Sequence, residues 1–187
     1  MFATACMLLP LLHLGQTAEK APAAPTGCQI GAEVPYFYVR EVTGARPNLA
    51  TCLVCRYGRR PVVMLCVREV DEQVEQLLVA VDRVVDRHRG TGLRGFAFFT
   101  TDDAAALQSK LMTLARRQQV ALPLTFPIES GGPRTLQLPA AARVTVVCYV
   151  DHIVVGRIEL RAGEATTERI QQVVAEVERV SSLQAAP

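Results

Sequence analysis

Tryptophan is absent from the 187 residues, aromatic residues make up 5% of them, and there are only three histidines. The formal net charge is +2, with both signs spread along the chain. A basic face interleaved with aromatics is therefore missing, which argues against a nucleic-acid binder. No apolar run reaches the roughly 18 residues that a membrane-spanning helix needs, so no stable span is expected in a mature chain. His13, His88 and His152 are scattered, and no Ser or Cys nucleophile with its base can be inferred from them. What the chain does have is apolar residues, 50% of the total, enough for one domain with a sizeable core and a tail.

The first segment, MFATACMLLPLLHLG, is apolar from Phe2 to Leu14 and is followed by the Ala- and Pro-rich QTAEKAPAAPTG. That pattern predicts an export signal over residues 1–18 and a flexible linker over 19–30, placing the protein outside the cytoplasm, in the periplasm or an equivalent compartment. A retained N-terminal anchor and a mis-assigned start or disordered tail are the alternatives, since no Lys or Arg precedes the apolar run. The folded domain is expected over 31–183, with a tail at 184–187.

Within it, YFYVREV (Tyr36 to Val42) alternates and reads as a strand. PVVMLCV (Pro61 to Val67) is continuously apolar, as for a strand buried on both faces. Val70, Val74, Leu77, Leu78, Val81, Val84 and Val85 then recur at helical spacing up to a stop at Gly90 and Gly92. A second unit follows. LRGFAFFTT is a strand, Asp102 or Asp103 a helix cap rather than a metal-binding carboxylate pair, and Leu107, Leu111 and Leu114 an apolar helix face. LPLTFPI is a short extended segment, and Gly131-Gly132-Pro133 a turn. RVTVVCYV and IVVGRIEL flank Asp151-His152 as an antiparallel hairpin, and a last helix capped by Thr166 or Thr167 aligns Ile170, Val173, Val174, Val177 and Val180.

The order β, βαβα, ββα resembles the thioredoxin-like fold, in its TlpA-like and peroxiredoxin-like (redoxin) branch. The opening GAEVPYFYVREVTG is also similar to that branch, through Gly31, Pro35, Phe37, Val39, Thr43 and Gly44. The resemblance covers about Gly31 to Val180. It implies an α/β/α three-layer sandwich around a mixed sheet and, for its redox members, cysteines that open the helix after the first parallel strand. Here that place reads VREVDEQ, without sulfur, and no Pro-x-x-x-Thr-x-x-Cys peroxidatic loop is present, so peroxidase activity is not expected. The family's substrate-docking cis-proline falls near Thr145, beside Arg143, and no proline occurs between Ala140 and Asp151. Thr145 is thus the candidate substrate-binding residue.

The C-x-x-C pair lies upstream, at Cys52 and Cys55, before the strand. A C-x-x-C beside a βαβ pattern suggests redox work, and Arg56, Arg59 and Arg60 follow closely enough to favour a thiolate. Cys52 and Cys55 are the candidate catalytic pair, with Arg56 and Arg59 as candidate thiolate stabilisers. A stapling disulfide stands beside that reading, as do metal-bound or inert thiols. A zinc site needs four ligands and only one C-x-x-C is present, so no metal and no cofactor is expected. Cys66 reads as core packing with a minor role as a resolving thiol. Cys148 is expected opposite Val62 or Val63, which disfavours a Cys66–Cys148 bridge. Cys28 is expected in the mobile linker, free to resolve or to pair between chains. Two functions remain: an extracytoplasmic thiol-disulfide oxidoreductase with a protein or small-molecule thiol or disulfide partner, and a non-catalytic binding or scaffold module.

Overall fold

The computed structural model describes residues 27–183 except 102, 130 and 131. The signal-sequence reading, most of the expected linker, Asp102, Gly131 and the tail lie outside the described residues. Seven strands form one sheet in the order β2-β1-β5-β4-β3-β6-β7. The parallel core is β3 (Val62–Val67), β4 (Arg94–Phe99) and β5 (Leu124–Pro127), joined by α2 (Glu72–Arg87) and α3 (Ala104–Gln118). Both crossovers step in the same direction across the sheet, and connections of one hand then place both helices on the same face. Apolar residues of α2 and α3 accordingly share one cluster with those of α4 (Thr167–Ser181).

Every residue of β3 is buried, because alternate side chains enter two different cores. Val63, Leu65 and Val67 meet the three long helices, whereas Val62, Met64 and Cys66 face the second cluster. That second layer is thin. It consists of the N-terminal segment, a five-residue helix α1 (Leu53–Tyr57) and a 3-10 turn at Arg134–Leu136, in place of a second pair of long helices.

The expected strand over 36–42 is shorter, with β1 limited to Val39–Glu41. Tyr36 and Tyr38 are exposed, and Phe37 turns into the second core against Phe98. The region expected to be a plain loop contains β2 (Ala50–Thr51), paired with β1, and then α1. LPLTFPI supplies β5, a full member of the sheet. The hairpin of β6 (Val144–Val150) and β7 (Ile153–Leu160) turns at Asp151-His152, both with positive φ (52° and 66°), which suits the right-handed twist of the flanking strands.

Helix ends follow local chemistry. Asp71, Asp103 and Thr166 each accept a hydrogen bond from the backbone N–H three residues on. Of the expected α4 face, Ile170, Val173, Val177 and Val180 are buried, and Val174 is half-buried.

Candidate functional site

Helix α1 begins where the edge strand β2 ends. Cys52 is its N-cap, and Cys52 Sγ accepts a hydrogen bond from the Cys55 N–H at 3.2 Å. The two cysteines are joined as a disulfide, with Cα atoms 5.3 Å apart. Leu53, Val54 and Tyr57 anchor the helix in the second core, the Tyr57 hydroxyl donating to Gly95 O at 3.1 Å. Gly58 ends it with φ +60°, a conformation that costs glycine little, and returns its N–H to Val54 O. This anchoring makes the two sulfurs unequal. Cys52 is 8% exposed and packs in the core, whereas Cys55 faces solvent.

The two arginines named as thiolate stabilisers are engaged by carboxylates. Arg56 Nη1 donates to Glu41 Oε1 at 3.0 Å, and Glu41 is fully buried on β1. The other carboxylate oxygen accepts from Arg46 N at 2.9 Å. Gly44 lets the loop close over this group: it has φ +119°, and a Cβ there would stand 2.7 Å from Glu41 Oε2. Arg59 grips Asp151 with two bonds, at 2.8 and 3.0 Å, and this pairing holds the Asp151 carboxyl below its usual range. Through Arg56 and Arg59, α1 is tied to β1 and to the β6–β7 turn.

Glu41 is the functional-site residue that the sequence reading missed. Its signal was parity, since it shares a strand face with the apolar Phe37 and Val39 and not with exposed Tyr36, Tyr38 and Arg40.

Thr145 sits opposite Cys66 on β6 and is 2% exposed. Four strands, β1, β5, β4 and β3, stand between β6 and the β2 edge from which α1 starts. Thr145 nonetheless shares the sheet face of its partner Cys66, the face that carries the second cluster to which Cys52 also belongs. Among the described residues no peptide bond is cis.

Cys28 corrects the mobile-linker expectation. It is fully buried, its N–H bonded to Leu136 O at 3.1 Å and its carbonyl accepting from Arg157 Nη1 at 3.1 Å. Gly31 and Val34 continue this docking with hydrogen bonds to Val154 O and His152 O. Cys148 lies opposite Val63 as expected, and Cys66 opposite Thr145, on the other face. Cys28, Cys66 and Cys148 are all free and buried.

Burial pushes the Cys28 thiol up to about 11, against the pull of Arg157. Burial likewise raises Cys148 to about 12, and Cys66 well above its ordinary value. In reduced protein at pH 8, a maleimide is therefore expected to label Cys55 quickly and to reach Cys28, Cys66 and Cys148 only after denaturation, as read by peptide mass mapping. The sign for stability follows. A thiol ionising at 9.0 when unfolded and at about 11 or 12 when folded contributes stability present in full below pH 9 and lost as pH rises toward those values. Urea midpoints should thus begin to fall above pH 9.

No protein-family model and no curated protein matches the sequence. Solved structures do match it in shape. A Chlorobium tepidum protein described as a thiol:disulfide interchange protein, DsbE, aligns at TM-score 0.59 and 12% identity over 81% of this chain and 99% of its own. A reduced Plasmodium vivax 2-Cys peroxiredoxin aligns at 0.61 and 14% identity, over 84% and 83% of the two chains. A secreted Mycobacterium tuberculosis disulfide oxidoreductase homologous to Escherichia coli DsbE aligns at 0.54 and 10%, over 75% and 95%.

The fold is thioredoxin-like. In this thioredoxin-like frame, the start of α2 holds an ionic cluster where the resemblance would place cysteines. Asp71 caps the helix at Val74 N (2.9 Å) and pairs with Arg143, which also binds Glu69 at 2.9 Å. In this thioredoxin-like domain the disulfide lies instead at α1, between its N-cap Cys52 and Cys55. Among the described residues, no group of three His, Cys, Asp or Glu is placed to hold a metal ion, and no helix is long and apolar enough to cross a membrane.

Proposed function

We propose that the protein is an extracytoplasmic thiol-disulfide oxidoreductase in which Cys55 attacks and Cys52 resolves. The observation that carries this reading is the unequal exposure of two bonded sulfurs. An incoming thiolate or disulfide can reach Cys55, while Cys52 waits behind it. In the reducing direction, the Cys55 thiolate attacks one sulfur of a substrate disulfide, whose other sulfur leaves as a thiolate with the bonding electron pair. Cys52 then attacks Cys55 Sγ, expels the first substrate sulfur as a thiolate and restores the Cys52–Cys55 bond. Two electrons pass to the substrate, and a dithiol donor must return them. The Cys55 N–H that already bonds Cys52 Sγ would stabilise the Cys52 thiolate whenever the bond opens. The apolar run from Phe2 to Leu14, taken as an export signal, supports a place outside the cytoplasm.

A second reading, a binding module with a stapling disulfide, is favoured by the pairing of Arg56 and Arg59 with carboxylates, which takes up charge that would otherwise activate a thiolate. The reduction potential separates the two. Thiol trapping across a graded glutathione or dithiothreitol series is expected to give a reversible couple between roughly −120 and −270 mV, the range of working oxidoreductases. A value below about −300 mV would assign the bond to structure and overturn the redox reading.

A further inference from the structure

Beneath the C-terminal end of α1 lies a cavity of about 480 Å³, within the size range of small-ligand sites. Arg56, Arg60, Arg89 and Arg94 line it, and no Asp or Glu does. We propose that this cavity binds a small molecule bearing two or more carboxylate or phosphate groups, with Arg60 and Arg94 as its anchors.

Sequence brings these residues together from three elements. Arg60 follows α1, Arg89 follows α2, and Arg94 opens β4. Two of the four have carboxylate partners, Arg56 with Glu41 and Arg89 with Asp86 at 3.4 Å. Arg60 and Arg94 have none within salt-bridge distance among the described residues. Arg60 Nη1 donates to Tyr57 O at 3.3 Å, and Arg94 Nη1 to Arg89 O and Leu93 O at 2.9 and 2.8 Å. A guanidinium has five N–H donors, so each retains donors beyond those bonds. Burial lowers the pKa of Arg94, and the like charges of Arg60 and Arg89 lower it further. Arg60 and Arg94 thus stand in a concave site without carboxylate partners of their own, an arrangement that an anion relieves, and planar guanidinia suit the bidentate geometry of carboxylate and phosphate. Val85, Leu122 and Pro123 form an apolar part of the wall beside the arginines, which gives a ligand with a short carbon skeleton contacts that a bare ion lacks. The nearby carboxylate of Asp82 accepts hydrogen bonds from Ala121 N and Leu122 N at 3.0 and 2.7 Å and so holds that wall in place without lining the cavity.

This site stands apart from the redox reading, and Cys55→Ser should leave it intact. Titration calorimetry of the full-length chain with inorganic pyrophosphate, and separately with citrate, tests it. Saturable binding of at least one anion is expected, with affinity reduced about tenfold or more in Arg60→Gln and in Arg94→Gln. Arg169→Gln, on α4 and outside the cavity, should bind as wild type does. Binding of only one anion supports the site and sets its preference between phosphate and carboxylate. Absence of saturable binding of either at millimolar concentration, or equal binding by wild type and both cavity variants, overturns the proposal.

Discussion

Cys52→Ser protein, once reduced and mixed with glutathione disulfide, should accumulate a one-to-one glutathione adduct on Cys55, and Cys55→Ser should accumulate none. The exposed sulfur can still attack in the first variant, but nothing is placed to expel the glutathione. In the second, the remaining sulfur of the pair is Cys52, which is 8% exposed and packed in the second core. The other described thiols do not confuse the result, because Cys28, Cys66 and Cys148 are buried and held neutral. Intact mass followed by peptide mapping reads the outcome, and turnover with a disulfide substrate should fall to background in both variants. Adducts forming equally on Cys52 and Cys55 would sink the assignment of roles.

Phe98→Ala should lower the unfolding free energy by about 3–5 kcal/mol, the usual cost of emptying a buried aromatic site. Phe98 is fully buried on β4, its ring 5.3 Å from that of Phe37 in an edge-to-face pair, within the cluster that also receives Cys52, Leu53 and Tyr57. A domain of this size typically has about 5–15 kcal/mol in total, so the loss is a large share of it. The thin second layer has little else to close over the gap. Urea denaturation followed by circular dichroism checks the magnitude, and a loss below about 1 kcal/mol would show that the layer collapses to fill the space. α1 should loosen with it, making Cys52 more readily alkylated in the reduced variant.

The main frame was legible because its signals are local and periodic. The unbroken run from Val62 to Val67 and the helical spacing from Val74 to Val85 depend on neighbours in sequence, as do the helix caps. Even the placement of Cys148 opposite Val63, one of the two neighbours expected, followed from its late position in an antiparallel strand. What could not be read depends on contacts between distant segments. Gly27 to Ile30 reads as the end of a linker, yet Cys28 finds its backbone partner in Leu136, and the domain's first residues Gly31 and Val34 find theirs in Val154 and His152, all more than a hundred residues away. β2 is two residues long and exists only through its pairing with β1. α1 has five residues, too few to show a period, and takes its form from the pocket that receives Tyr57 and the cap that Cys52 provides. The arginines after the C-x-x-C were legible as charge but not as partners, because Glu41 and Asp151 reach them from β1 and from the last hairpin.

The spacing of the disulfide has a consequence in polymer terms. Cys52 and Cys55 are separated by three positions, so their bond closes one of the smallest rings a chain can make. A cross-link removes freedom from the unfolded chain roughly with the logarithm of the ring it closes, and a ring of this size removes only about 2 kcal/mol worth. Opening it would leave most of the fold's stability in place. The protein can therefore pass through its reduced form still folded, with α1 held by Tyr57, Glu41 and Asp151, and a sulfur pair that opens without unfolding its domain is suited to repeated exchange.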